Sequence, residues 1–181
     1  MTSCSTLPRH CWCGLMGNNW YAVYVRSRHE FMVEAALAHK SLQTFLPAVE
    51  RLRQWKDRKK KIMFPLFPGY LFVQCNGDAA HFLAVLKTKG VVKILGDSFG
   101  YQPVPLQQIE SLKTMVAGRC TLDEYPYLKK GQKVRIASGP LAGVCGILVK
   151  KGSEHRVVVS IDLLQKGVAV TVDGASVEPL V

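Results

Sequence analysis

Residues 51–73 are RLRQWKDRKKKIMFPLFPGYLFV, a run of positive charge followed by a proline-rich aromatic turn and a strand-like segment. The basic residues of this run are Arg51, Arg53, Lys56, Arg58, Lys59, Lys60 and Lys61. Asp57 is the one acidic residue among them. So many like charges repel one another unless they lie in water or face an anion. The segment is therefore predicted to be an exposed basic loop.

The aromatic turn follows this loop directly. Pro65 and Pro68 prevent a helix and fix the backbone, and Gly69 permits a backbone angle that other residues resist. The rings around these fixed points are those of Phe64, Phe67 and Tyr70. Residues 71–73 are predicted to enter the core as a strand. Two interpretations stay open: a basic surface hairpin whose stiff turn feeds a core strand, or a docking site for a protein that sits against nucleic acid.

These residues also carry a resemblance to a known family. The run WKDRKKK, the segment PLFPGYLFV and the upstream WYAVY at residues 20–24 together resemble the N-terminal domain of the NusG family of transcription elongation factors. The match is closest to the specialised antiterminator branch, of the RfaH and UpxY types. Further along, GPLAG at residues 139–143, followed by Gly146, resembles the KOW motif of the family's C-terminal domain. The resemblance covers the chain from Trp20 to the C-terminus.

The composition is typical of a protein with an anionic partner. The chain has 181 residues, 48% of them hydrophobic, which is enough for real cores, and a formal net charge of +11. Residues 1–117 carry 15 Lys and Arg against 7 Asp and Glu, a net charge of +8. Residues 118–181 carry 9 against 6, a net charge of +3. Contact with nucleic acid is therefore expected in the N-terminal part.

The six cysteines follow no metal-binding or disulfide pattern. Cys75 and Cys145 lie in apolar strand patterns typical of small buried residues. The possible metal ligands of the N-terminal tail are Cys4, His10, Cys11 and Cys13. Their spacing fits no common zinc pattern. Because apolar runs long enough for a membrane span or a signal peptide are also missing, we expect a cytoplasmic protein without a metal or another cofactor.

Residues 20–117 are predicted to form an α+β sandwich, in which helices pack on a small antiparallel sheet. Its strands are expected over residues 20–25, from Phe45, over 62–64, over 70–75 and over 91–95. A first helix follows a capping box of Ser27 and Glu30. A second helix is predicted to be capped by Asp78 and to end at Gly90. A turn at residues 96–100 follows, and a third helix is predicted from Pro105 to Gly118. Their predicted buried faces are Phe31, Ala35, Ala38 and Leu42; Phe82, Val85 and Leu86; and Ile109, Leu112 and Met115 or Val116.

Three other segments complete the predicted organisation. Residues 1–19 are interpreted as an irregular tail, with Met16 as an alternative start of translation, and residues 118–128 as a linker. Residues 129–181 are predicted to form a small five-stranded β-barrel. Its strands are expected over 132–136, 144–149, 156–161 and 168–172 and from Val177. Turn glycines and the density of valine predict a stable barrel, without the refolding into a helical hairpin of RfaH-type proteins.

No motif of an enzyme is present. The sequence lacks a phosphate-binding glycine loop, HExxH and GxSxG. Among the histidines, His29, His39, His81 and His155 lie far apart, and none has a nucleophile or carboxylate at catalytic spacing. We therefore expect a binding protein and no enzyme.

The resemblance implies a binding mechanism. In this family an apolar depression of the N-terminal domain docks onto the clamp helices of RNA polymerase, and the domain passes over the single-stranded non-template DNA. Carried across by motif, the depression would comprise Trp20, Tyr21, Tyr24, Leu66, Phe67, Pro68 and Tyr70. Aromatic anchors of this kind often carry most of the binding energy. The alternative for Trp20 and Tyr70 is ordinary core packing.

The resemblance also implies a bridge across the polymerase and a set of DNA contacts. His81 stands where RfaH-type proteins have His-Thr-Thr, although Phe82 and Leu83 follow it here. Lys89 matches the basic residue of a Thr-Arg-Gly-Val run that faces DNA; its alternative is a solvated helix end. The expected nucleic-acid contacts are Lys89, Lys87, Arg26, Arg28, Arg58, Lys59 and Lys60.

The barrel has a loop that suggests a changed partner. Housekeeping members recruit the termination factor Rho or a ribosomal protein through a loop that reads roughly Ser-Ile-Phe-Gly-Arg. Here residues 160–164 are SIDLL, and the resemblance places the partner contacts at Ile161, Asp162 and Leu163. Because Asp162 replaces an aromatic residue, the loop argues against both housekeeping partners and most strongly against Rho.

Three functional hypotheses follow. The first is a monomeric antitermination factor that binds RNA polymerase and non-template DNA and suppresses pausing and termination. The second is a KOW-type protein that binds RNA or associates with the ribosome. The third is a housekeeping NusG that couples the polymerase to Rho or the ribosome.

Overall fold

A computed structural model describes residues 18–54, 59–118, 120, 122–126, 131–151, 154–173 and 176–180. Within these residues the chain forms three α-helices and several antiparallel sheets, which confirms the predicted α+β class. The N-terminal tail with its cysteines and His10, the tryptophan of WKDRKKK and Arg58 lie outside the described residues.

The N-terminal half is built on one central strand. Its elements are β1 (Asn19–Val25), α1 (Glu30–His39), β2 (Gln43–Phe45), β3 (Ala48–Gln54), β4 (Lys59–Pro65), β5 (Tyr70–Cys75), α2 (Ala79–Leu86), β6 (Val91–Ile94), β7 (Gly96–Asp97), β8 (Gly100–Tyr101), β9 (Pro103–Val104) and α3 (Leu106–Ala117). The sheet order is β2-β5-β1-β6, and β9 also pairs with β1. In register, β5 pairs antiparallel along β1 from Asn19↔Cys75 to Tyr24↔Tyr70.

The central strand is covered on both faces. Tyr21, Val23 and Val25 pack in a cluster with residues of α1. Trp20 and Ala22 pack in a second cluster with residues of α3. Because successive side chains of a strand point to opposite faces, β1 supplies both cores and carries few polar residues.

The C-terminal half is a six-stranded antiparallel sheet. Its strands are β10 (Leu122–Pro126), β11 (Gln132–Ile136), β12 (Cys145–Lys151), β13 (Glu154–Ile161), β14 (Lys166–Val172) and β15 (Val177–Pro179), with a 3₁₀ turn at Asp162–Leu164. Their order is β10-β14-β13-β12-β11-β15. All five predicted strands are present, and the sixth, β10, comes from the predicted linker, which is therefore not wholly irregular. Its pairing with β14 overrides the weak local pattern and Pro126.

Helix α3 joins the two halves. Its buried residues Ile109, Leu112 and Met115, as predicted, share one hydrophobic cluster with Trp20 on one side and with residues of the C-terminal sheet on the other. Polar contacts add to this packing: the Ser111 Oγ accepts from the Cys145 N–H at 3.3 Å. The helix thus forms part of both cores.

The first helix differs from its prediction. No side chain caps it, and the preceding Arg28 has a left-handed φ of 65°. The buried face is Glu30, Val33 and Leu37, while Phe31, Ala35 and Ala38 are exposed and Leu42 lies beyond the helix. The predicted capping box is therefore wrong, and of the predicted stripe only Leu42 is buried. Glu30 has another partner, and the helix is rotated so that Val33 and Leu37 meet the sheet.

Helix α3 ends at Gly118 as predicted, whereas α2 ends at Leu86, before the predicted Gly90. The Asp78 Oδ1 accepts from the His81 N–H at 2.8 Å and caps α2. Of the predicted α2 face, Val85 is buried, Phe82 is half-buried and Leu86 is exposed. Gly90, which has φ +100°, lies so close to α1 that a Cβ there would be 2.8 Å from the Val33 Cγ2. Pro105 precedes α3 instead of lying in its first turn.

Candidate functional site

The aromatic turn between β4 and β5 is fixed from three sides. The Leu66 N–H donates to the Pro47 oxygen at 2.8 Å, and the Val25 N–H donates to the Gly69 oxygen at 2.9 Å. The Glu30 Oε1 accepts from the Gly69 N–H at 2.8 Å. Gly69 itself has φ +81°, as the sequence predicted for a turn glycine. The turn is therefore a rigid part of the domain.

The predicted docking depression is only partly at the surface. Trp20, Tyr21, Leu66 and Phe67 are buried, so the expectation that they line an open hollow is wrong. The physical reason is that both faces of β1 are covered: Trp20 lies under α3, where the Lys113 Nζ is 4.3 Å from its ring centroid. Of the remaining members, Tyr24 and Pro68 are exposed and Tyr70 is half-buried.

The accessible tyrosines form a pair on neighbouring strands. Their ring centroids are 5.2 Å apart, and Tyr24 is directly opposite Tyr70 in the β1–β5 register. A Cβ at Gly69 would lie 3.3 Å from the Tyr24 ring, so the turn approaches the pair closely. From the C-terminal sheet, the Lys166 Nζ lies 4.9 Å from the Tyr70 ring centroid. We call Tyr24 and Tyr70 the tyrosine pair.

Basic side chains surround the tyrosine pair. On β6, Lys93 is exposed and lies opposite Tyr24 in register, so Lys93, Tyr24 and Tyr70 follow one another across three strands on one face. At the end of β1, the Arg26 N–H donates to the Gly90 oxygen at 2.9 Å, which places Arg26 beside Lys89. The structure therefore brings the predicted cations Arg26 and Lys89 to the same end of the sheet. Arg28 and Lys87 are exposed nearby along the chain.

Much of the predicted basic loop is a hairpin of β3 and β4, because residues 51–54 and 59–61 lie on paired strands. It pairs from Ala48↔Pro65 to Gln54↔Lys59. The backbone of Lys59 and Lys60 is part of β4. The Lys61 Nζ lies 3.3 Å from the Glu50 Oε2. The roles of Arg58, Lys59 and Lys60 stay predictions.

The predicted bridge residue His81 lies at the start of α2. Its Nδ1 is 2.6 Å from the Asp78 Oδ1. The backbone hydrogen bond from His81, and then the contact with its ring, hold the pKa of the Asp78 carboxyl below its usual range. Phe82 turns inward, with its ring centroid 5.0 Å from that of Tyr21 and 4.7 Å from that of Tyr101.

The predicted loop of the barrel faces α3. Ile161 is buried, so it cannot serve as a surface contact in this arrangement, which corrects that prediction. Asp162 is exposed, and its Oδ2 accepts from the Gln108 Nε2 of α3 at 3.0 Å. Leu163 is half-buried. The loop thus reaches the N-terminal half through Asp162.

Two features of the site were missed in the sequence. Glu30 lies three residues after Ser27, which is the spacing of a capping box. Its carboxylate instead accepts from the Gly69 N–H, 39 residues away. Lys93 follows two valines in a strand pattern, and only the register places it beside Tyr24. In the part of the chain that the structure describes, no three His, Cys, Asp or Glu side chains group as metal ligands, and no helix has the length and apolarity of a membrane span.

Comparison with known proteins agrees with this architecture. A family model described as transcription termination factor nusG matches residues 18–114, more than half of the chain. The transcription termination/antitermination protein NusG of Staphylococcus epidermidis is 27% identical over 175 residues, covering 89% of this chain and 95% of that relative. The protein of the same name from Thermus thermophilus is 28% identical over 183 residues, covering 90% and 98%.

A solved structure, described as domain interaction in Thermotoga maritima NusG, has a similar fold. Its TM-score is 0.54 at 22% identity, over 93% of this chain and 100% of that chain. The fold, the family model and these relatives lead to one conclusion: the chain belongs to the NusG family of transcription factors.

Proposed function

We propose that the chain is an elongation and antitermination factor that binds the clamp helices of RNA polymerase and the non-template DNA, and so suppresses pausing and termination. Proteins of its family act in transcription without catalysis. The observation that carries the proposal is the line of Lys93, Tyr24 and Tyr70 across β6, β1 and β5. This line puts aromatic anchors and positive charge on one face.

The polymerase would contact the accessible part of the predicted depression. Tyr24, Pro68 and Tyr70 supply the surface, and the buried Leu66 and Phe67 support it from beneath. Two tyrosines held by a rigid turn lose little conformational entropy on binding, which suits them to a binding hot spot. His81 at the start of α2 would contact the opposite side of the polymerase.

The DNA would lie along the cations at the end of the sheet. Lys89, Lys87, Arg26 and Arg28 are exposed, and the Arg26 N–H bond to Gly90 places two of them together. Such cations bind phosphates without reading sequence, which suits a factor that follows a moving polymerase. The basic hairpin, through Arg58, Lys59 and Lys60, would add to this attraction.

The C-terminal sheet supports a specialised antiterminator over coupling to Rho. The relatives of this chain are named as NusG proteins, so this finer assignment depends on the chain's own residues. Asp162 puts an acid where the family's loop has an aromatic residue, and it is hydrogen-bonded to Gln108 of α3. We propose a cytoplasmic monomer whose C-terminal sheet leaves Rho unbound and contacts the ribosome.

Co-purification with core RNA polymerase tests the proposal. We expect Tyr24→Ala and Tyr70→Ala to lose most of the polymerase while keeping the wild-type circular dichroism spectrum. The matched control is Phe31→Ala, since Phe31 is an exposed ring on α1, 44% open against 37% for Tyr24. Phe67→Ala is unsuitable because Phe67 is fully buried, so its truncation would damage the fold.

The same pull-down separates the RNA-binding hypothesis, and a termination assay separates the housekeeping one. Ribosomal RNA without polymerase would favour the KOW-type RNA-binding protein. Rho-dependent termination that rises on addition of the protein would favour the housekeeping role. Full polymerase binding by both tyrosine variants would reject the tyrosine pair as the docking site.

A further inference from the structure

Phe99 is the most exposed large apolar side chain among the described residues, with 97% of its surface open to solvent. It lies between β7 and β8, at the tip of a hairpin that pairs Gly96 with Tyr101 and Asp97 with Gly100. A ring in this position gains nothing from burial within the chain. Its faces are therefore available to a partner.

The hairpin that carries Phe99 is firmly built. The Asp97 Oδ1 accepts from the Phe99 N–H at 2.8 Å, and the Asp97 Oδ2 accepts from the Gln102 Nε2. At its base, the Gln102 N–H donates to the Leu95 oxygen at 3.2 Å. Beneath these bonds the Tyr101 ring packs edge-on against Phe82. The exposure of Phe99 is thus a property of an ordered turn.

The hairpin leaves the sheet at a basic edge. Strand β6 pairs with Val23–Val25 and strand β9 with Trp20 and Tyr21, so the chain between them projects outward from the middle of β1. The segment that leads into it, residues 79–96, contains Lys87, Lys89 and Lys93 and no acidic residue. Both oxygens of Asp97 are used in the turn. The segment before the hairpin is therefore basic, while Asp97 keeps one negative charge within the turn.

The surroundings of Phe99 favour a nucleic acid over a protein partner. Its chain neighbours, Ser98 and Gly100, provide no apolar rim, and one ring of about 200 Å² is far less than a stable protein interface buries. An unpaired base needs only one free aromatic face, while cations beside it bind the phosphates. Lys93 lies on the strand before the hairpin and Lys89 in the turn before that strand, so a cation and an aromatic face are both present along this edge.

We propose that Phe99 is a stacking platform for an unpaired base of single-stranded DNA, whose phosphates are bound by Lys89 and Lys93. The choice of DNA rests on the proposed function, in which the exposed strand is the non-template strand of the elongation complex. The hairpin then extends the DNA contact beyond the cations predicted from the sequence.

The first test measures binding of a labelled deoxythymidine oligomer to the full chain by fluorescence anisotropy over a salt series. Phe99→Ala and Phe99→Leu should both bind roughly tenfold more weakly, with the salt dependence unchanged, because stacking needs a ring. Lys93→Gln should reduce the slope of log affinity against log salt by about 0.7. Phe31→Ala, the exposed ring on α1, should bind like the wild type.

Several outcomes of this test would overturn the proposal. These are wild-type affinity in Phe99→Ala, retained affinity in Phe99→Leu, equal binding of a duplex of the same length, or no binding by the wild-type chain at low salt. Retained affinity with leucine would mean that any apolar group suffices, which is not stacking.

The second test places the contact in the elongation complex. 5-Iodouracil in the exposed non-template strand should crosslink to the chain, the crosslink should be lost in Phe99→Ala, and co-purification with polymerase should stay at the wild-type level. The assignment to DNA would be overturned if the chain crosslinked to 5-iodouracil placed in the nascent RNA and not to 5-iodouracil in the non-template strand. Loss of polymerase binding in Phe99→Ala would overturn it as well. Failure of the wild-type chain to bind polymerase would instead reject the proposed function, and the oligomer measurement would still decide the role of Phe99.

Discussion

Two hairpins leave the N-terminal domain, and they differ in almost every respect. The β3–β4 hairpin has seven-residue strands and a run of basic residues, whereas the β7–β8 hairpin has two-residue strands and one exposed ring. The first is conspicuous in the sequence because charge is a property of residue types. The second is conspicuous only in the structure because exposure depends on what packs nearby.

The two hairpins are also held in place by different interactions. The β3–β4 hairpin ends in the aromatic turn, which the buried carboxylate of Glu30 holds through the Gly69 N–H. The β7–β8 hairpin is held by aromatic packing: the Tyr101 ring contacts Phe82, and the Phe82 ring contacts Tyr21. The aromatic turn is held by hydrogen bonds, one of them to a buried carboxylate, whereas the β7–β8 hairpin rests on edge-on aromatic contacts. The two should therefore fail in different ways.

The largest effect is expected from Glu30→Ala. It leaves the buried Gly69 N–H without its acceptor, so the free energy of unfolding should fall by about 3 kcal/mol. Urea denaturation measures the change, and polymerase co-purification should fall with it because the turn beside the tyrosine pair loosens. Glu30→Gln keeps an acceptor oxygen and should retain most of the stability. An equal loss in both variants would show that the hydrogen bond is not what fixes the turn.

Phe82→Ala should be next, since it removes the ring under the β7–β8 hairpin. The ring is half-buried, so we expect about 2 kcal/mol of destabilisation, less than for a fully buried phenylalanine. Affinity for single-stranded DNA should fall towards that of Phe99→Ala. The neighbouring exposed residue provides the control, Leu83→Ala, with little change in either quantity. Unchanged DNA affinity in Phe82→Ala would mean that the position of the hairpin does not depend on the Phe82 ring.

The double variant Lys59→Gln and Lys60→Gln should act through charge alone. Binding to elongation complexes should weaken chiefly at low salt. The slope of log affinity against log salt concentration should become shallower by about 0.7 for each phosphate that the variant no longer neutralises. Thermal stability should not change. The matched control is the double variant Lys59→Arg and Lys60→Arg, which keeps both positive charges. The same weakening at every salt concentration would argue against a role of the hairpin in DNA binding.

The smallest effect concerns the start of α2, which carries Phe82. Because the pKa of Asp78 is lowered in the folded state, its carboxylate stabilises the fold above its ordinary value of 3.8 and loses this effect as the pH falls further. Thermal melting of the wild type should therefore show a small acid-dependent loss below about pH 4 that Asp78→Ala lacks. Parallel melting curves of the two proteins through this range would contradict the capping role.

Much of the fold could be predicted from the sequence because its signals are local. Asp78 caps α2, Gly69 takes a positive φ, and Ile109, Leu112 and Met115 form the buried face of α3. The failures involve distant partners. Ser27 and Glu30 have the spacing of a capping box, but the partner of Glu30 comes from another turn of the chain.

The candidate site was less predictable for the same reason. The motifs that contain Trp20 and Leu66–Phe67 identify the family, but no local pattern says that both faces of β1 are covered. Strands of two residues, as in β7 and β8, are too short to produce an alternating pattern. The strand β10 contains Pro126 and forms only because β14 offers its edge.

Helix α3 has a consequence for any attempt to divide this protein. Since Ile109, Leu112 and Met115 belong to a single cluster that continues into Val157, Val159 and Ile161, a cut before β10 would leave an apolar helix face in water. Grafting the C-terminal sheet of a relative onto this chain would require redesign of that helix at the same time. For protein engineering, the two halves are one unit and not interchangeable modules.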